Sequence, residues 1–296
     1  MKSLMDIIGS SLDSIVLFDI GAMDEGGNRF QPLYDSGILT VVGFEPDRDA
    51  LEALEAKARV NHRYHSYCLG DGEVGTLHLT AYPGCSSLYE PNPEVVDLFT
   101  PMGTERGSNF HVKEKVQIET TRLDDIQELE APDILKLDIQ GAELDVLRHG
   151  VKTLESALII ESEVEFLELY KGQPLFGDVQ VFMREQGFVL HKFVDVVGRG
   201  IRPFQLGDNR HAPISQLIWA DAVFIRDFSA LENYSSDGLL KAALVLYDVY
   251  ASFDLVFLLL KEYDRREGTE FSKAYWEKVS DESLPPVQFM SIKDYI

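Results

Sequence analysis

This chain of 296 residues has few cysteines and no recognisable histidine pattern for binding a metal. Its two cysteines, Cys68 and Cys85, do not form a C-x-x-C pair, so we predict free thiols in a reducing compartment and hence a cytoplasmic protein. The sequence contains neither H-x-H nor H-E-x-x-H, which argues against a zinc site.

Basic side chains are also few, because 27 lysines and arginines stand against 50 acidic residues and leave a formal net charge of −23. Binding to nucleic-acid phosphates or to an anionic membrane requires basic patches, so this balance argues against both partners. No apolar run approaches the roughly 18 residues of a membrane helix, and the first eight residues lack the apolar core of a signal peptide. We predict no nucleic-acid partner and no membrane span.

What the chain does have is an apolar run near its start, Ile-Val-Leu-Phe-Asp-Ile-Gly-Ala at residues 15–22. Such a run predicts a strand buried on both faces, as in a parallel sheet. Gly21 permits a tight turn and a close approach to a ligand because it has no Cβ. A second strand at residues 40–44 ends in Glu45, where doubly wound folds place the acid that binds a ribose.

This pair of strands is open to three interpretations: a plain αβ unit with a glycine turn, a dinucleotide site, or an S-adenosylmethionine site. A dinucleotide site needs G-x-G-x-x-G to hold a pyrophosphate, and the loop at residues 21–27 lacks that spacing. Asp19, Asp24 and Glu25 would repel two phosphates but attract a sulfonium and an ammonium group. The residues therefore favour S-adenosylmethionine.

Strands alternate with helical segments as far as about residue 228, and this pattern predicts an α/β fold with a mostly parallel sheet. From residue 229 to 296 the pattern is helical. We expect a cofactor-binding domain at 1–228 and a helical C-terminal extension at 229–296. The extension is expected either to pack on the sheet domain or to form a homodimer contact.

Four predicted strands end in acidic residues, which come together at one edge of a parallel sheet. A single acid at a strand end is usually a helix cap, but four of them predict a shared site. The acids that follow the later strands have the oxygen ligands that Mg²⁺ or Mn²⁺ prefers, with Asp138 and Glu163 as the candidate metal pair. The strand-end acids are Glu45, Asp71, Asp138 with Glu143, and Glu161 with Glu163.

Methyl transfer from a sulfonium requires mainly the alignment of acceptor, methyl group and sulfur. A hydroxyl acceptor must also lose its proton, either to a carboxylate or histidine or through a divalent metal ion. His111 and His211 lie in long irregular loops predicted at residues 90–112 and 195–215, the second of which follows a strand predicted at 188–193. Each histidine is either a solvated residue or a base at the acceptor. Loop hydroxyls that could bind the acceptor belong to Ser86, Ser87 and Tyr89.

Several motifs, taken in order, carry a family resemblance: F-D-I-G-A at 18–22, G-F-E-P at 43–46, S-S-L at 86–88, T-R-L-D-D at 121–125 and L-K-L-D-I-Q-G-A-E at 135–143. Together they resemble the FkbM-type S-adenosylmethionine-dependent methyltransferases over residues 15–195. The resemblance implies a class I methyltransferase (Rossmann-like) fold. Its mostly parallel seven-stranded sheet has helices on both faces and an antiparallel last strand, here at 216–226.

The resemblance also implies O-methylation of a hydroxyl on a sugar, a glycan or a secondary metabolite. It places Asp19, Gly21 and Ala22 along the methionine part of the cofactor, Glu45 at the ribose and Asp71 beside the adenine. Asp138 and Glu143 match the acidic motif near the methyl acceptor, and with His211 they form our candidate catalytic set. The loop at residues 23–27 departs from the commoner Asn-x-Gly of the family.

The leading hypothesis is therefore an S-adenosylmethionine-dependent O-methyltransferase acting on a small-molecule or glycan acceptor. One alternative is a non-catalytic binding or scaffold protein on the same fold, with the helical extension as its partner surface. Another is a nicotinamide-dependent oxidoreductase, against which the glycine spacing argues. The fold by itself does not decide among these functions.

Overall fold

The computed structural model describes residues 3–22, 29–127 and 129–281. These residues divide into two compact units. The sheet unit comprises the described residues of 14–27 and 39–229, and the helical unit comprises those of 1–13, 28–38 and 230–296. The tail after residue 229 thus shares a unit with two stretches from the first forty residues, and a domain border at residue 228 stays a prediction.

The sheet unit contains ten strands, and eight of them form one sheet in the order β3-β2-β1-β7-β8-β10-β9-β5. Neighbours from β3 to β8 are parallel, whereas β10 is antiparallel to both β8 and β9. Strands β4 and β6 pair separately. The strands are β1 Ile15–Ile20, β2 Leu39–Phe44, β3 His62–His65, β4 Val74–Thr80, β5 Phe99–Thr100, β6 Val112–Glu119, β7 Ile134–Leu137, β8 Ile159–Glu165, β9 Phe188–Ile201 and β10 Gln216–Arg226.

This topology confirms the predicted class I arrangement, including the antiparallel strand at 216–226. The two-residue strand β5 pairs with the end of β9 and adds an eighth strand to the expected seven. Strand β9 is also longer than the strand predicted at residues 188–193, because its pairing with β10 continues to Arg199. Arg199 consequently belongs to a strand and not to the loop expected at 195–215.

Ten α-helices complete the described residues: α1 Met5–Ile8, α2 Gln31–Ser36, α3 Arg48–Ala56, α4 Pro93–Val96, α5 Glu143–Arg148, α6 Val151–Leu154, α7 Phe176–Glu185, α8 Ser236–Asp248, α9 Phe253–Glu267 and α10 Phe271–Asp281. Side-chain caps start α3, α4 and α8, and at α4 the Asn92 side chain accepts a hydrogen bond from the amide of Glu94. Asp47 accepts a hydrogen bond from the amide of Ala50 at α3, and Ser235 accepts one from the amide of Gly238 at α8.

One apolar core of the sheet unit lies on the face of the sheet that helices α5 and α7 cover. Phe18, Leu135, Ile160 and Phe224 belong to this core and come from four adjacent strands. Because side chains alternate across a strand, the residues next to them point to the opposite face. Asp19, Lys136 and Glu161 point to that opposite face, where Leu17, Ile134 and Ile159 are also buried.

The helical unit is held together by the packing of α8 against α9 and of α9 against α10. Leu240, Leu244, Val256 and Leu260 are fully buried there. In the stretches that the structure describes, none of the helices combines the length and the apolar character that a membrane span requires.

Candidate active site

A row of charged residues crosses three parallel strands. Asp19 on β1 lies opposite Lys136 on β7, which in turn lies opposite Glu161 on β8. The Nζ atom of Lys136 is 3.5 Å from Oδ1 of Asp19. Burial would lower the pKa of Lys136, but the carboxylates of Asp19, Asp138, Glu161 and Asp221 together raise it above its ordinary value. The lysine therefore stays charged and offsets part of the negative charge at this edge.

The turn after β7 brings Asp138 and Glu163 together through Gln140. The side-chain Nε2 of Gln140 donates to Oδ1 of Asp138 at 2.8 Å and to Oε2 of Glu163 at 2.7 Å. Gln140 has a φ of 59°, in the left-handed region, and this backbone shape turns its side chain back toward the two acids. The side-chain oxygen of Gln140, Oε1, accepts a hydrogen bond from the hydroxyl of Tyr170 at 3.1 Å. The main-chain carbonyl of Gln140 accepts one from the hydroxyl of Ser87 at 2.7 Å.

Glu143 closes the same turn from the start of α5. Its Oε1 accepts from the amide of Ile139 at 2.8 Å, and its Oε2 accepts from the amide of Gly141 at 2.9 Å. Burial and the nearby Glu165 raise the pKa of Glu143 well above its ordinary value. The main chain thus engages both of its carboxylate oxygens, an arrangement that holds the turn carrying Asp138.

The remaining acids of this cluster lie on β8. The pKa of Glu163 lies well above its usual range. Burial of its carboxyl group is the largest cause, followed by the negative charges of Asp138 and Glu165. Burial raises the pKa of Glu165 to about 7, partly opposed by the Gln173 side chain. A carboxylate with a pKa near neutrality accepts a proton from a hydroxyl more readily than an ordinary one. Burial thus makes Glu163 and Glu165 more basic than ordinary carboxylates.

The turn after β1 packs directly against the backbone of Asp138. Gly21 has a φ of +80°, and a Cβ there would lie 2.1 Å from the carbonyl oxygen of Asp138. The amides of Gly21 and Ala22 donate to the carbonyl of Phe44 at 3.0 and 3.2 Å. Only glycine fits this position, and the close approach brings the predicted methionine-binding turn beside the predicted acceptor-side acid.

Glu45 is a buried carboxylate at the end of β2, with a side chain that is only 8% exposed. Its Oε1 accepts from the amide of Asp47 at 2.7 Å. Burial raises its pKa to about 7, although the hydrogen bond from Asp47 opposes the shift. Hydroxyl donors such as those of a ribose would stabilise the ionised form, so this position fits the expected ligand.

Asp71 lies in an exposed turn and is already engaged there. Its Oδ1 accepts from the amide of Glu73 at 2.9 Å and from the hydroxyl of Thr120 at 3.2 Å. The hydrogen bond from Glu73 lowers the pKa of the Asp71 carboxyl. Its contact with an adenine stays a prediction.

The two loop histidines are held by main-chain contacts. The exposed His211 donates its amide to Asn209 at 2.9 Å and accepts at its carbonyl from Arg199, while the ring of His111 lies 3.2 Å from the carbonyl of Thr104. The contacts found among residues 3–22, 29–127 and 129–281 do not join the imidazole of His211 to Asp138, so its role as a base stays a prediction.

Metal binding has no support in the described part of the chain, where no three histidine, cysteine or acidic side chains are grouped to hold an ion. Asp138 and Glu163, the predicted metal pair, share the amide of Gln140 instead. A Mg²⁺ or Mn²⁺ ion on these two residues stays a prediction.

Sequence reasoning did not single out Lys136, Gln140, Glu165 or Tyr170 as site residues. The sequence did contain a signal for Lys136, because it is a charged residue between the apolar residues of the predicted strand at 133–138. Gln140 and Tyr170 have no such signal, because their contact joins residues thirty positions apart.

A mostly parallel sheet with the antiparallel strand β10 between β8 and β9, a glycine turn after β1 and acids at its carboxyl edge defines the class I methyltransferase fold. Within that class the chain belongs to the FkbM methyltransferase family, whose domain model matches residues 19–190. This match confirms the family expected from the motifs.

Comparisons with individual proteins cover less of the molecule. A segment of 61 residues is 43% identical to the 2-O-methyltransferase NoeI of Sinorhizobium fredii, which is 20% of this chain and 25% of that protein. The match thus spans about a quarter of the relative.

Among solved structures, magnesium protoporphyrin IX methyltransferase (ChlM) from Synechocystis PCC 6803 with bound SAM is 12% identical over 76% of each chain, with a TM-score of 0.36. TYW2 from M. jannaschii in complex with AdoMet is 13% identical over 75% of this chain and 74% of its own, with a TM-score of 0.33. Similarity at this level carries no argument about activity.

Proposed function

We propose that this protein is an S-adenosylmethionine-dependent O-methyltransferase that methylates a hydroxyl of a sugar, a glycan or a secondary metabolite. The observation that carries the proposal is the pairing of Asp138 and Glu163 through Gln140, directly beside the Gly21 turn. Family membership supports methyl transfer. The name of the partial relative NoeI supports a hydroxyl as the acceptor.

In this proposal the cofactor lies along the carboxyl edge of the sheet. Asp19, Gly21 and Ala22 bind its methionine part, Glu45 binds the ribose hydroxyls and Asp71 lies beside the adenine. When bound, the cofactor supplies an electrophilic methyl group already attached to its leaving group. The negative charge around Asp19 suits a cationic sulfonium and a cationic ammonium group.

The acceptor hydroxyl binds at Asp138 and Glu163, one of which takes its proton. Gln140 keeps the two carboxylates in place, and Glu143 holds the turn that carries Asp138. The alternative routes use His211 as the base, or a divalent ion on Asp138 and Glu163 that lowers the pKa of the hydroxyl. Removal of metal with EDTA separates the last route from the others, because only that route loses activity.

Calorimetric titration with S-adenosylhomocysteine, with NADH as the control, tests the cofactor. Micromolar binding of S-adenosylhomocysteine alone is the expected result, and transfer of radiolabel from S-adenosylmethionine to a panel of methyl glycosides then identifies the acceptor class. Binding of NADH instead would replace the proposal with the oxidoreductase alternative. Binding of neither would favour a non-catalytic role on the same fold.

Two further expectations belong to this proposal. A homodimer contact through α8, α9 and α10 is tested by light scattering of the full chain and of the variant Leu258→Asp, a change at an exposed residue of α9. A cytoplasmic location is tested by fractionation of the cells that produce the protein.

A further inference from the structure

The hairpin of β9 and β10 extends past the carboxyl edge of the sheet. On β10, Trp219 is the last residue paired with β8, where it lies opposite Glu165. The pairing of β10 with β9 continues beyond it to Gln216 opposite Arg199. Residues 199–217, which we call the hairpin tip, therefore lie beyond the edge that carries Asp138 and Glu163.

Large apolar side chains of the hairpin tip are exposed to solvent. Residues 201–211 are exposed without interruption. Phe204 is 69% exposed and Leu206 is 61% exposed, and they are accompanied by Ile201, Ile214 and Leu217. Clustered apolar exposure is uncommon on soluble proteins and marks a contact surface. In the rest of the described chain, exposed large apolar residues come from separate elements.

The backbone of the hairpin tip is ordered by its own hydrogen bonds. Gln205 Nε2 donates to the carbonyl of Gly207 at 2.7 Å, and the amide of His211 donates to Asn209 Oδ1 at 2.9 Å. The turn thus holds the apolar side chains outward, which reduces the conformational entropy lost when they are buried in a partner.

The charge of the hairpin tip is opposite in sign to that of the chain. It contains three arginines and one aspartate, a net charge of +2, in a chain with a net charge of −23. Arg199 donates to carbonyl oxygens and lies 4.8 Å from the ring centre of Trp219, and Arg202 also donates to carbonyl oxygens. Because these partners are uncharged, the contacts themselves do not neutralise either guanidinium.

We propose that the hairpin tip docks this protein on the surface of an anionic lipid bilayer. Phe204 and Leu206 enter the boundary of the acyl chains, and the exposed Arg202 and Arg210 lie at the headgroup phosphates. The acidity of the whole chain does not prevent this, since salt screens exposed charges over about 10 Å and the tip projects from the sheet edge. A second copy of the chain is the poorer partner, because the exposed apolar residues outside the tip are dispersed over the described surface and a contact between two tips would bring like-charged arginines together.

The proposal does not depend on methyl transfer. Its consequence is that an acceptor at the bilayer surface would meet the same sheet edge that carries Asp138 and Glu163.

Vesicle flotation tests the proposal with the full chain and vesicles of phosphatidylcholine with or without about one third phosphatidylglycerol. We expect binding to the anionic vesicles that weakens in high salt. The double variant Phe204→Ser/Leu206→Ser should lose about tenfold or more in partitioning, and Arg210→Glu should lose several-fold on the anionic vesicles. Val60→Ser, a change at a fully exposed apolar residue outside the tip, should bind as the unchanged protein does.

Thermal unfolding and S-adenosylhomocysteine binding of each variant show that its fold is intact. The proposal is overturned if the unchanged protein does not float with either vesicle, or if the double variant floats equally well. It is also overturned if light scattering shows a dimer that the double variant converts to a monomer, because the tip would then be a contact between copies.

Discussion

Gln140 and Glu163 are joined by a hydrogen bond of 2.7 Å from Nε2 to Oε2, and the same nitrogen reaches Asp138 at 2.8 Å. An amide nitrogen carries two hydrogens, so it can donate one to each carboxylate. A single side chain therefore couples Asp138, which follows β7, to Glu163 on β8.

Asp138→Asn should lower methyl transfer by about 100-fold or more, because an amide does not accept the hydroxyl proton. Binding of S-adenosylhomocysteine should change little, since the substitution retains the size of the side chain. Radiolabel transfer and calorimetry measure the two effects separately. Asp49→Asn, in the exposed first turn of α3, is the control. Full activity of Asp138→Asn would show that its assigned role on the acceptor side is wrong.

The affinity for S-adenosylhomocysteine should rise with pH between about 6 and 8. Burial raises the pKa of Glu45 to about 7, and ribose hydroxyls donate better to its ionised form. Glu45→Gln should remove this dependence, and Glu45→Ala should weaken binding about 10-fold to 100-fold. Calorimetry in buffers with different ionisation enthalpies also detects the expected proton release. A pH-independent affinity in the unchanged protein would argue against contact between Glu45 and the ligand.

Gly21→Ala should be far more harmful than Gly37→Ala. The two glycines have similar φ values of +80° and +74°, so alanine costs about 1–2 kcal/mol of backbone strain at either position. A Cβ at Gly21 would also lie 2.1 Å from the Asp138 carbonyl, whereas a Cβ at Gly37 meets nothing within 4 Å. Urea unfolding and S-adenosylhomocysteine binding of both variants check this difference. Equal losses would mean that the close approach at Gly21 is not important.

Stability should fall as the pH rises toward neutrality, in part because of Glu165. Its folded pKa of about 7 exceeds the ordinary 4.5, so the folded state holds the proton more tightly than the unfolded state. The free energy of unfolding should therefore decrease by up to about 3 kcal/mol between about pH 4.5 and pH 7.

Glu165→Gln should flatten this dependence, as measured by urea unfolding at several pH values. Glu185→Gln, at the exposed end of α7, should leave the slope as it is. Parallel slopes for all three proteins would show that Glu165 does not titrate in this range.

Much of the sheet edge could be predicted from local sequence. The apolar run before Asp19, the glycine after it and Glu45 at the end of the next strand follow from strand periodicity and turn chemistry. Asp138 after β7 and the acids on β8 could be assigned to one edge, since parallel strands end on the same side. The length of β9 could not, because its last residues are exposed and polar or small, and only the pairing with β10 keeps them extended.

The sequence by itself determined the α/β class, the order of the strands that carry acids, and the family. These depend on local patterns and on motifs that are read along the chain. Only the tertiary structure decided that Lys136 lies between Asp19 and Glu161, that Gln140 joins Asp138 to Glu163, and that the hairpin tip projects beyond them. Such relationships depend on strand register and on the left-handed backbone of one residue, which bring together side chains that are far apart in sequence.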